Sequence, residues 1–169
     1  RPVNLCLLLI VVGAGVYANS LSGPFIFDDL IYIVENRTIR QLWPPLWLTK
    51  AWAPDHGFDS RPVVSFSLAL NFAADGLEVR GYHLVNIVVH LLCGFVLFSA
   101  VRRTLSGVRL RNHLEQRAAD LLAFICTLLW LVHPVQSQCV NYITQRSETI
   151  MGLFYLLVLY CTLRGTESE

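Results

Sequence analysis

Charged side chains are scarce in this sequence. Only 15% of its 169 residues are Asp, Glu, Lys or Arg, whereas 54% are hydrophobic, and soluble globular proteins usually carry about 25% charged residues. The formal net charge of +1 also removes any bulk electrostatic attraction to nucleic acid. We therefore expect an integral membrane protein whose first partner is the lipid bilayer, with no nucleic acid among its partners.

The cysteines lack the spacing of a disulfide framework or a zinc site. Cys6, Cys93, Cys126 and Cys161 lie within apolar runs, and Cys139 falls in a polar connection. Paired ligand spacings are what would indicate bound zinc, and none is present. The sequence therefore predicts that the four apolar cysteines act as small buried hydrophobes.

The apolar residues are clustered into segments that approach the length of membrane spans. A helix needs about 20 residues to cross the hydrocarbon core, and runs of this kind cover 3–18, 82–101, 118–132 and 147–163. The fold class predicted is therefore all-α, with about four transmembrane helices. Because the last two runs are short, we expect 133–146 to lie partly inside the membrane boundary, buried by protein.

Positive charge predicts the orientation. The connection 102–117 contains five arginines and a single acidic residue, so the positive-inside rule makes it cytoplasmic. The large loop 19–81 is then on the outer or lumenal side, in a bacterial inner membrane or an endoplasmic reticulum membrane. Within this loop, three tryptophans and two prolines predict short interfacial helices: these residues are Trp43, Trp47, Trp52, Pro44 and Pro45.

Two adjacent carboxylates, Asp28 and Asp29, follow the first span directly. At a membrane edge, desolvation and mutual repulsion would raise the free energy of their charged forms. Such a carboxylate can serve as a general base with a raised pKa, or the two can ligate a divalent cation. An Asp that caps a helix beginning near Leu30 explains the pattern equally well. No other metal ligands are predicted.

Arg61 is a candidate phosphate ligand, because the guanidinium fork matches a phosphate group. It follows Asp55 and Asp59 in the sequence, and an ordinary ion pair with one of them is the favoured interpretation.

Polar residues also mark the predicted spans. His83, Asn86 and His90 share one helical face, and Arg146 and Glu148 open the last span. Interhelical hydrogen bonding explains Asn86 well and the two charged residues less well.

His133 ends the third span beside Pro134, which stops or kinks the helix. A single histidine at such a boundary is more often a structural hydrogen-bonding group than a catalyst.

The order of these clusters carries more information than any one of them. The chain resembles the N-terminal part of the transmembrane and tetratricopeptide-repeat (TMTC-like) proteins, a family of O-mannosyltransferases, in four ordered blocks over nearly its whole length. The blocks are Phe27-Asp28-Asp29 with Ile33 and Asn36, Arg61-Pro62 with Ser65 and Asn71, Gly81-Tyr82-His83 with Asn86 and His90, and His133-Pro134-Val135 with Arg146 and Glu148.

The resemblance implies a multi-spanning glycosyltransferase of the C-type (GT-C) fold. Such an enzyme moves a sugar, here mannose, from a polyprenyl-phosphate carrier to a Ser or Thr hydroxyl of a protein acceptor. It implies that Asp28 or Asp29 is the essential acid of the first outer loop. Residues implied to contact the donor or its phosphate are Arg61, His83, Arg146, Glu148 and His133. Further spans and tetratricopeptide repeats are expected beyond this chain.

One departure from the family pattern favours a different function. An acidic residue is expected a few positions after the His-Pro-Val block, but the chain has Gln136-Ser137-Gln138 there. The alternative is a non-catalytic membrane scaffold or complex subunit with the same fold. A transporter or channel piece is favoured least, because Asp120 and His90 are nearly the only ionisable residues near mid-membrane.

Overall fold

The fold is that of a helical bundle, seen in a computed structural model that describes residues 2–49, 61–107 and 114–166. None of these residues lies in a β-strand, so the all-α prediction is confirmed. The α-helices are α1 (Pro2–Tyr17), α2 (Leu46–Thr49), α3 (Pro62–Asp75), α4 (Val79–Ser106), α5 (Gln116–Leu131), α6 (Gln136–Asn141) and α7 (Arg146–Gly165). Short helical turns at Ala18–Ser22, Leu30–Val34, Thr38–Arg40 and Ile143–Gln145 connect them.

Three helical segments are long and apolar enough to cross a membrane. They are Pro2–Ser22, Val79–Ser106 and Ile143–Gly165, within the described residues. Three of the four predicted spans therefore correspond to observed membrane helices, and the chain is an integral membrane protein of the all-α class.

The third predicted span, 118–132, forms a helix but is shorter than a full span. Helix α5 has 16 residues, so it measures about 24 Å at 1.5 Å per residue, against about 30 Å of hydrocarbon. Arg117 and Asp120 occupy its first turns, and Pro134 follows its end, so apolar sequence cannot extend it in either direction. Residues 118–132 are therefore not among the candidate spans of the described residues by length and composition, and their crossing of the membrane as a fourth span stays a prediction.

Helix α4 lies at the centre of the bundle and packs against α1, α5 and α7. Glycines allow the close approach: a Cβ on Gly13 of α1 would lie 2.7 Å from Leu91 and 2.9 Å from Leu131, and one on Gly94 would lie 3.1 Å from Leu131. Small residues bring membrane helices together in this way because lipid provides no hydrophobic drive between them. Leu131, which is 0% exposed, fills the resulting gap.

The connection between α5 and α7 is buried by protein in its second half. Asn86 of α4 donates hydrogen bonds to the carbonyls of Val140 at 3.2 Å and Ile143 at 3.4 Å. Both of these residues are 0% exposed, whereas His133 and Gln138 lie in the exposed first half. Protein therefore buries Val140 and Ile143, as predicted, although Asn141 between them is exposed. Most of the connection is helical, in α6 and in the turn Ile143–Gln145. Its location inside the membrane boundary stays a prediction.

The described part of the outer loop contains the short helices that its composition predicted. The turn Thr38–Arg40 and helix α2 pack on α3, and Ile39 joins Val64 and Leu68 in a buried apolar cluster. Trp43 is 84% exposed. Trp52 and the side chain of Trp47 lie outside the described residues.

The bundle has two chemically different ends. The "arginine end" brings together the start of α1, the end of α4 with Arg102 and Arg103, and the start of α5. The "carboxylate end" contains the loop of Asp28 and Asp29 and the starts of α4 and α7. The predicted catalytic groups all belong to the second end or to its neighbourhood.

Candidate functional site

The loop after α1 separates two consecutive carboxylates into opposite environments. Phe27 has φ of 46°, a region that residues other than glycine seldom adopt, and such outliers concentrate at functional sites. Immediately after it, Asp28 is exposed, while Asp29 is 1% exposed. The two acids are adjacent in the sequence, but their side chains lie in different environments.

Asp29 fastens the outer loop to the start of α7. Its Oδ1 accepts a hydrogen bond from the Thr144 N–H at 2.9 Å, and its Oδ2 accepts one from the Ile26 N–H at 3.2 Å. Burial raises the pKa of the Asp29 carboxyl, although these hydrogen bonds and the neighbouring His83 oppose the rise. The carboxyl is therefore held in place in part by Thr144, which lies 115 positions away in the chain.

The helix-capping interpretation of this pair is wrong. Asp29 does stand at the start of the turn Leu30–Val34, but its side chain makes no capping hydrogen bond to that turn. Its oxygens are directed instead to Ile26 and Thr144. A tertiary contact, which no local pattern reveals, has replaced the local one.

Asp28 stands at the surface next to two aromatic rings. Its backbone N–H donates to the Tyr142 hydroxyl at 3.0 Å, and the Phe27 ring meets the Tyr142 ring edge-on, with centroids 6.5 Å apart. Phe27 is 79% exposed. Asp28 is thus held through its backbone while its side chain stays exposed.

No group of three or more His, Cys, Asp or Glu side chains suited to a metal ion occurs among the described residues. Asp29 accepts hydrogen bonds from two backbone N–H groups. A divalent cation bound by Asp28 and Asp29 stays a prediction.

Arg146 is the centre of a buried hydrogen-bond network that joins three helices. Its Nε donates to Asn86 Oδ1 at 2.7 Å, its Nη1 to Asn71 Oδ1 at 2.7 Å and to Ser67 Oγ at 3.3 Å, and its Nη2 to the Tyr82 carbonyl at 2.9 Å. Arg146 itself is 0% exposed.

All three guanidinium nitrogens of Arg146 are therefore engaged by protein acceptors. Helix α3 contributes Asn71 and Ser67, and α4 contributes Asn86 and Tyr82, so the guanidinium fixes the start of α7 against both helices. The arrangement gives Arg146 a positioning role, and its predicted contact with a donor phosphate stays a prediction.

His83 ties the start of α4 to the outer loop. Its Nε2 lies 3.2 Å from the Gly23 carbonyl, and the residue is 2% exposed. Its Nδ1 is buried without a hydrogen-bond partner among the described residues. A buried polar atom of this kind requires an explanation, and its position near Asp29 keeps His83 among the candidate site residues.

His90 holds helices together, as the interhelical interpretation predicted. Its Nε2 lies 3.0 Å from the Leu131 carbonyl, which also accepts a hydrogen bond from the Tyr17 hydroxyl at 3.0 Å. The imidazole stacks on Trp130 with ring centroids 4.9 Å apart. Asn86, which joins Arg146 and the connection before α7, confirms the same interpretation.

Arg61 and Glu148 meet at the surface. Arg61 Nη1 lies 3.8 Å from Glu148 Oε1, and the two side chains are 47% and 42% exposed. An ion pair was the favoured interpretation of Arg61, but the partner shown is Glu148. Asp55 and Asp59, the partners expected from sequence, lie outside the described residues. The half-exposed guanidinium remains within reach of a ligand.

His133 stands apart from the other predicted site residues. It is exposed, and its Nδ1 accepts a hydrogen bond from the Val135 N–H at 3.2 Å, within its own turn. In the described ranges, no hydrogen bond or ion pair joins it to Asp28, Asp29 or Arg146. This geometry fits the structural role that a boundary histidine usually has.

Two residues at the site were missed by sequence reasoning. Tyr142 and Thr144 lie in the connection 133–146 and contact the Asp28-Asp29 loop through a hydroxyl and a backbone N–H. The only signal available was the prediction that this connection is buried near the membrane surface. A backbone donor such as the Thr144 N–H has no signature in side-chain identity.

The sequence is similar to those of several known proteins. Over 162 residues the chain is 32% identical to protein O-mannosyl-transferase TMTC4 of Mus musculus and 33% identical to that of Homo sapiens, in both cases over 86% of this chain. It is 30% identical to protein O-mannosyl-transferase TMTC1 of Mus musculus over 99% of this chain. The chain is TMTC-like. The resemblance predicted from the four sequence blocks is confirmed.

The TMTC-like chain spans a small share of these relatives. It covers 21% of the TMTC4 proteins and 17% of TMTC1. No family model matches it, and no solved structure matches it either. The match to TMTC1 covers 99% of this chain and therefore includes the site described above.

Proposed function

We propose that the TMTC-like chain is the first membrane module of a protein O-mannosyltransferase that takes mannose from a polyprenyl-phosphate carrier. The acceptor is a Ser or Thr hydroxyl of a protein, and the loop 19–81 faces the outer or lumenal side. The observation that carries this proposal is the exposed carboxylate of Asp28 beside a second, buried carboxylate that anchors the same loop. The names of the relatives support the sugar and the protein acceptor.

In this proposal Asp28 is the catalytic base. Its carboxylate takes the proton of the acceptor hydroxyl as the hydroxyl oxygen attacks the anomeric carbon of the sugar. The bond between that carbon and the phosphate oxygen breaks, and the polyprenyl phosphate leaves with the bonding electron pair. General-base catalysis of this kind contributes about 10²- to 10⁴-fold to a rate.

The leaving phosphate needs cationic or hydrogen-bonding groups, because negative charge develops on it. Arg61 is the best placed candidate, since its side chain is half-exposed and its ion pair with Glu148 lies at the surface. His83 is a second candidate because its Nδ1 has no hydrogen-bond partner among the described residues. Arg146 acts indirectly in this proposal, because it holds in place the helices that carry these groups.

Asp29 is a positioning residue in this scheme. Its hydrogen bonds to Thr144 and Ile26 set the position of the loop, and through the loop they set that of Asp28. The Tyr142 hydroxyl adds a second fixed point, 3.0 Å from the Asp28 nitrogen.

The deciding experiment is a transfer assay on the full-length protein in membranes. It uses labelled polyprenyl-phosphate mannose and a Ser/Thr-containing peptide, and it compares the unaltered protein with Asp28→Asn, Asp29→Asn and the double variant. We expect Asp28→Asn to lower kcat by about 100-fold or more, with unchanged membrane insertion. Asp75→Asn, on α3, is the matched control. Full transfer by Asp28→Asn would refute the assigned base.

The second candidate is a non-catalytic scaffold with the same fold. It is favoured by Gln136-Ser137-Gln138, where the family pattern predicts an acid, and by the exposed position of Gln138. Failure of the folded, unaltered protein to transfer any lipid-linked sugar would favour it. Gain of transfer on Gln136→Glu or Gln138→Glu would show that this segment had lost the chemistry.

A further inference from the structure

The arginine end contains an opening between helices, away from the carboxylate end. It is a cavity of about 720 Å³ between the starts of α1 and α5, the end of α4 and the last turns of α7. Its polar lining includes Arg102, Arg103, Ser106 and Gln116, and its apolar lining includes Phe98. The proposed transfer reaction uses none of these residues.

Arg102 presents its guanidinium fork to this cavity. Its Nε lies 2.6 Å from Asp120 Oδ1, and this contact holds the planar group in one orientation. Among the hydrogen bonds of the described residues, Arg102 uses Nε alone, so Nη1 and Nη2 remain as two parallel donors. A fork of this form matches two oxygens of one phosphate group.

Asp120 is itself held in place. Gln116 Nε2 donates to Asp120 Oδ1 at 2.9 Å and lies 2.9 Å from Ser106 Oγ. Ser106 accepts that hydrogen bond, so its hydroxyl proton is available to a ligand in the cavity. The cavity therefore contains donors of Arg102 and Ser106, both on α4, and the network that positions them includes the carboxylate of Asp120.

The remaining lining suits the rest of a phospholipid. Phe98, Val3 and Tyr160 supply apolar and aromatic surface on α4, α1 and α7 next to the polar groups. A soluble anion would make no use of this surface, whereas a glycerol backbone and the first acyl carbons would. Basic pockets between membrane helices on the cytoplasmic side bind acidic lipid head groups by this combination.

We propose that the arginine end binds the phosphodiester head group of one anionic phospholipid, with Arg102 as its bidentate ligand. The predicted orientation places this end at the cytoplasmic surface, where anionic lipids are concentrated. The site is separate from the proposed transfer site, so it stands or falls independently of the catalytic proposal.

Native mass spectrometry of the full-length protein tests the proposal. The protein is reconstituted with phosphatidylcholine alone or with added phosphatidylglycerol, extracted in mild detergent, and scored for retained lipid. We expect one retained phosphatidylglycerol, and at least about tenfold less retention in Arg102→Gln, because two charge-assisted hydrogen bonds are lost. Arg117→Gln is the matched control, since Arg117 is an exposed arginine on α5 near the same end.

A second variant keeps the test decisive if Arg102→Gln does not fold. Arg102→Lys preserves a positive charge near Asp120 but removes the fork, and we expect retention to fall in this variant while gel filtration stays unchanged. Equal retention in Arg102→Lys and the unaltered protein would overturn the bidentate assignment. Equal loss in the Arg102 and Arg117 variants, or equal retention of the two lipids, would overturn the site.

Inorganic phosphate distinguishes a lipid head group from a free anion. Since the apolar lining contributes to lipid binding, we expect millimolar phosphate to leave the retained phosphatidylglycerol in place. Complete displacement by phosphate would overturn the assignment to a lipid.

Discussion

Two arginines at opposite ends of one bundle show how different the same side chain becomes in different surroundings. Arg146 is 0% exposed, and all three of its nitrogens donate to protein acceptors. Arg102 has a side chain that is 38% exposed and uses only Nε. In Arg146, burial goes with full use of the guanidinium donors, which positions the helices. In the more exposed Arg102, Nη1 and Nη2 make no hydrogen bond among those of the described residues, and our lipid proposal uses these two donors.

The two adjacent carboxylates repeat the contrast at the carboxylate end. Each oxygen of Asp29 accepts a hydrogen bond from a backbone N–H group, whereas the Asp28 side chain stays exposed. At this end the buried carboxylate anchors the loop that carries the exposed one. The predictions below are arranged from the largest expected effect to the smallest.

Loss of Arg146 gives the largest predicted effect. Arg146→Met would leave Asn71, Asn86 and the Tyr82 carbonyl without their donor in a buried site, so we expect the free energy of unfolding to fall by about 3 kcal/mol or more. Thermal unfolding in detergent measures it, with Arg164→Gln on the exposed end of α7 as the control. A smaller loss of unfolding free energy in Arg146→Met than in Arg164→Gln would contradict the assignment of Arg146 as a buried residue that positions the helices.

We expect the free energy of unfolding to depend on pH through the carboxyl group of Asp29. Its pKa is raised in the folded protein above the ordinary value of 3.8, so the folded state binds the proton more tightly than the unfolded state does. The contribution of Asp29 to stability is therefore full below pH 3.8 and is lost as the pH rises through the folded pKa. Asp29→Asn should flatten this part of the curve of unfolding free energy against pH. An unchanged slope would show that Asp29 is not desolvated in the folded protein.

Asp120→Asn tests how much the ion pair of Arg102 contributes to stability. The Arg102–Asp120 pair is partly exposed, so we expect it to contribute about 0.5 to 1 kcal/mol to stability. Chemical unfolding in detergent measures this difference. A loss as large as that of Arg146→Met would erase the contrast between the two ends.

The Arg61–Glu148 ion pair is expected to have the smallest effect on stability. Both side chains are almost half exposed, so Arg61→Gln and Glu148→Gln should each change the unfolding free energy by less than about 0.5 kcal/mol. Arg61→Gln should nevertheless raise KM for the lipid-linked donor if it contacts the phosphate. Equal kinetics in both variants would leave Arg61 with the surface pair as its only role.

Some of the site was predictable and some was not. Asp28, Asp29, His83 and Arg146 were singled out because polar groups at a membrane boundary are expensive and need a reason. The division of labour between the two carboxylates was not predictable, because it depends on Thr144 and Tyr142, more than 110 positions away in the chain.

The sequence by itself determined the class of the protein and the position of most of its helices. Apolar runs of nearly 20 residues have few alternatives in water or in lipid, since every backbone N–H and C=O in hydrocarbon must find a partner within the segment. Only the tertiary structure decided which polar side chains have their hydrogen-bonding groups engaged by the protein and which remain accessible. That outcome depends on acceptors brought from α3, α4 and the connection before α7, and no local pattern encodes the distance between them.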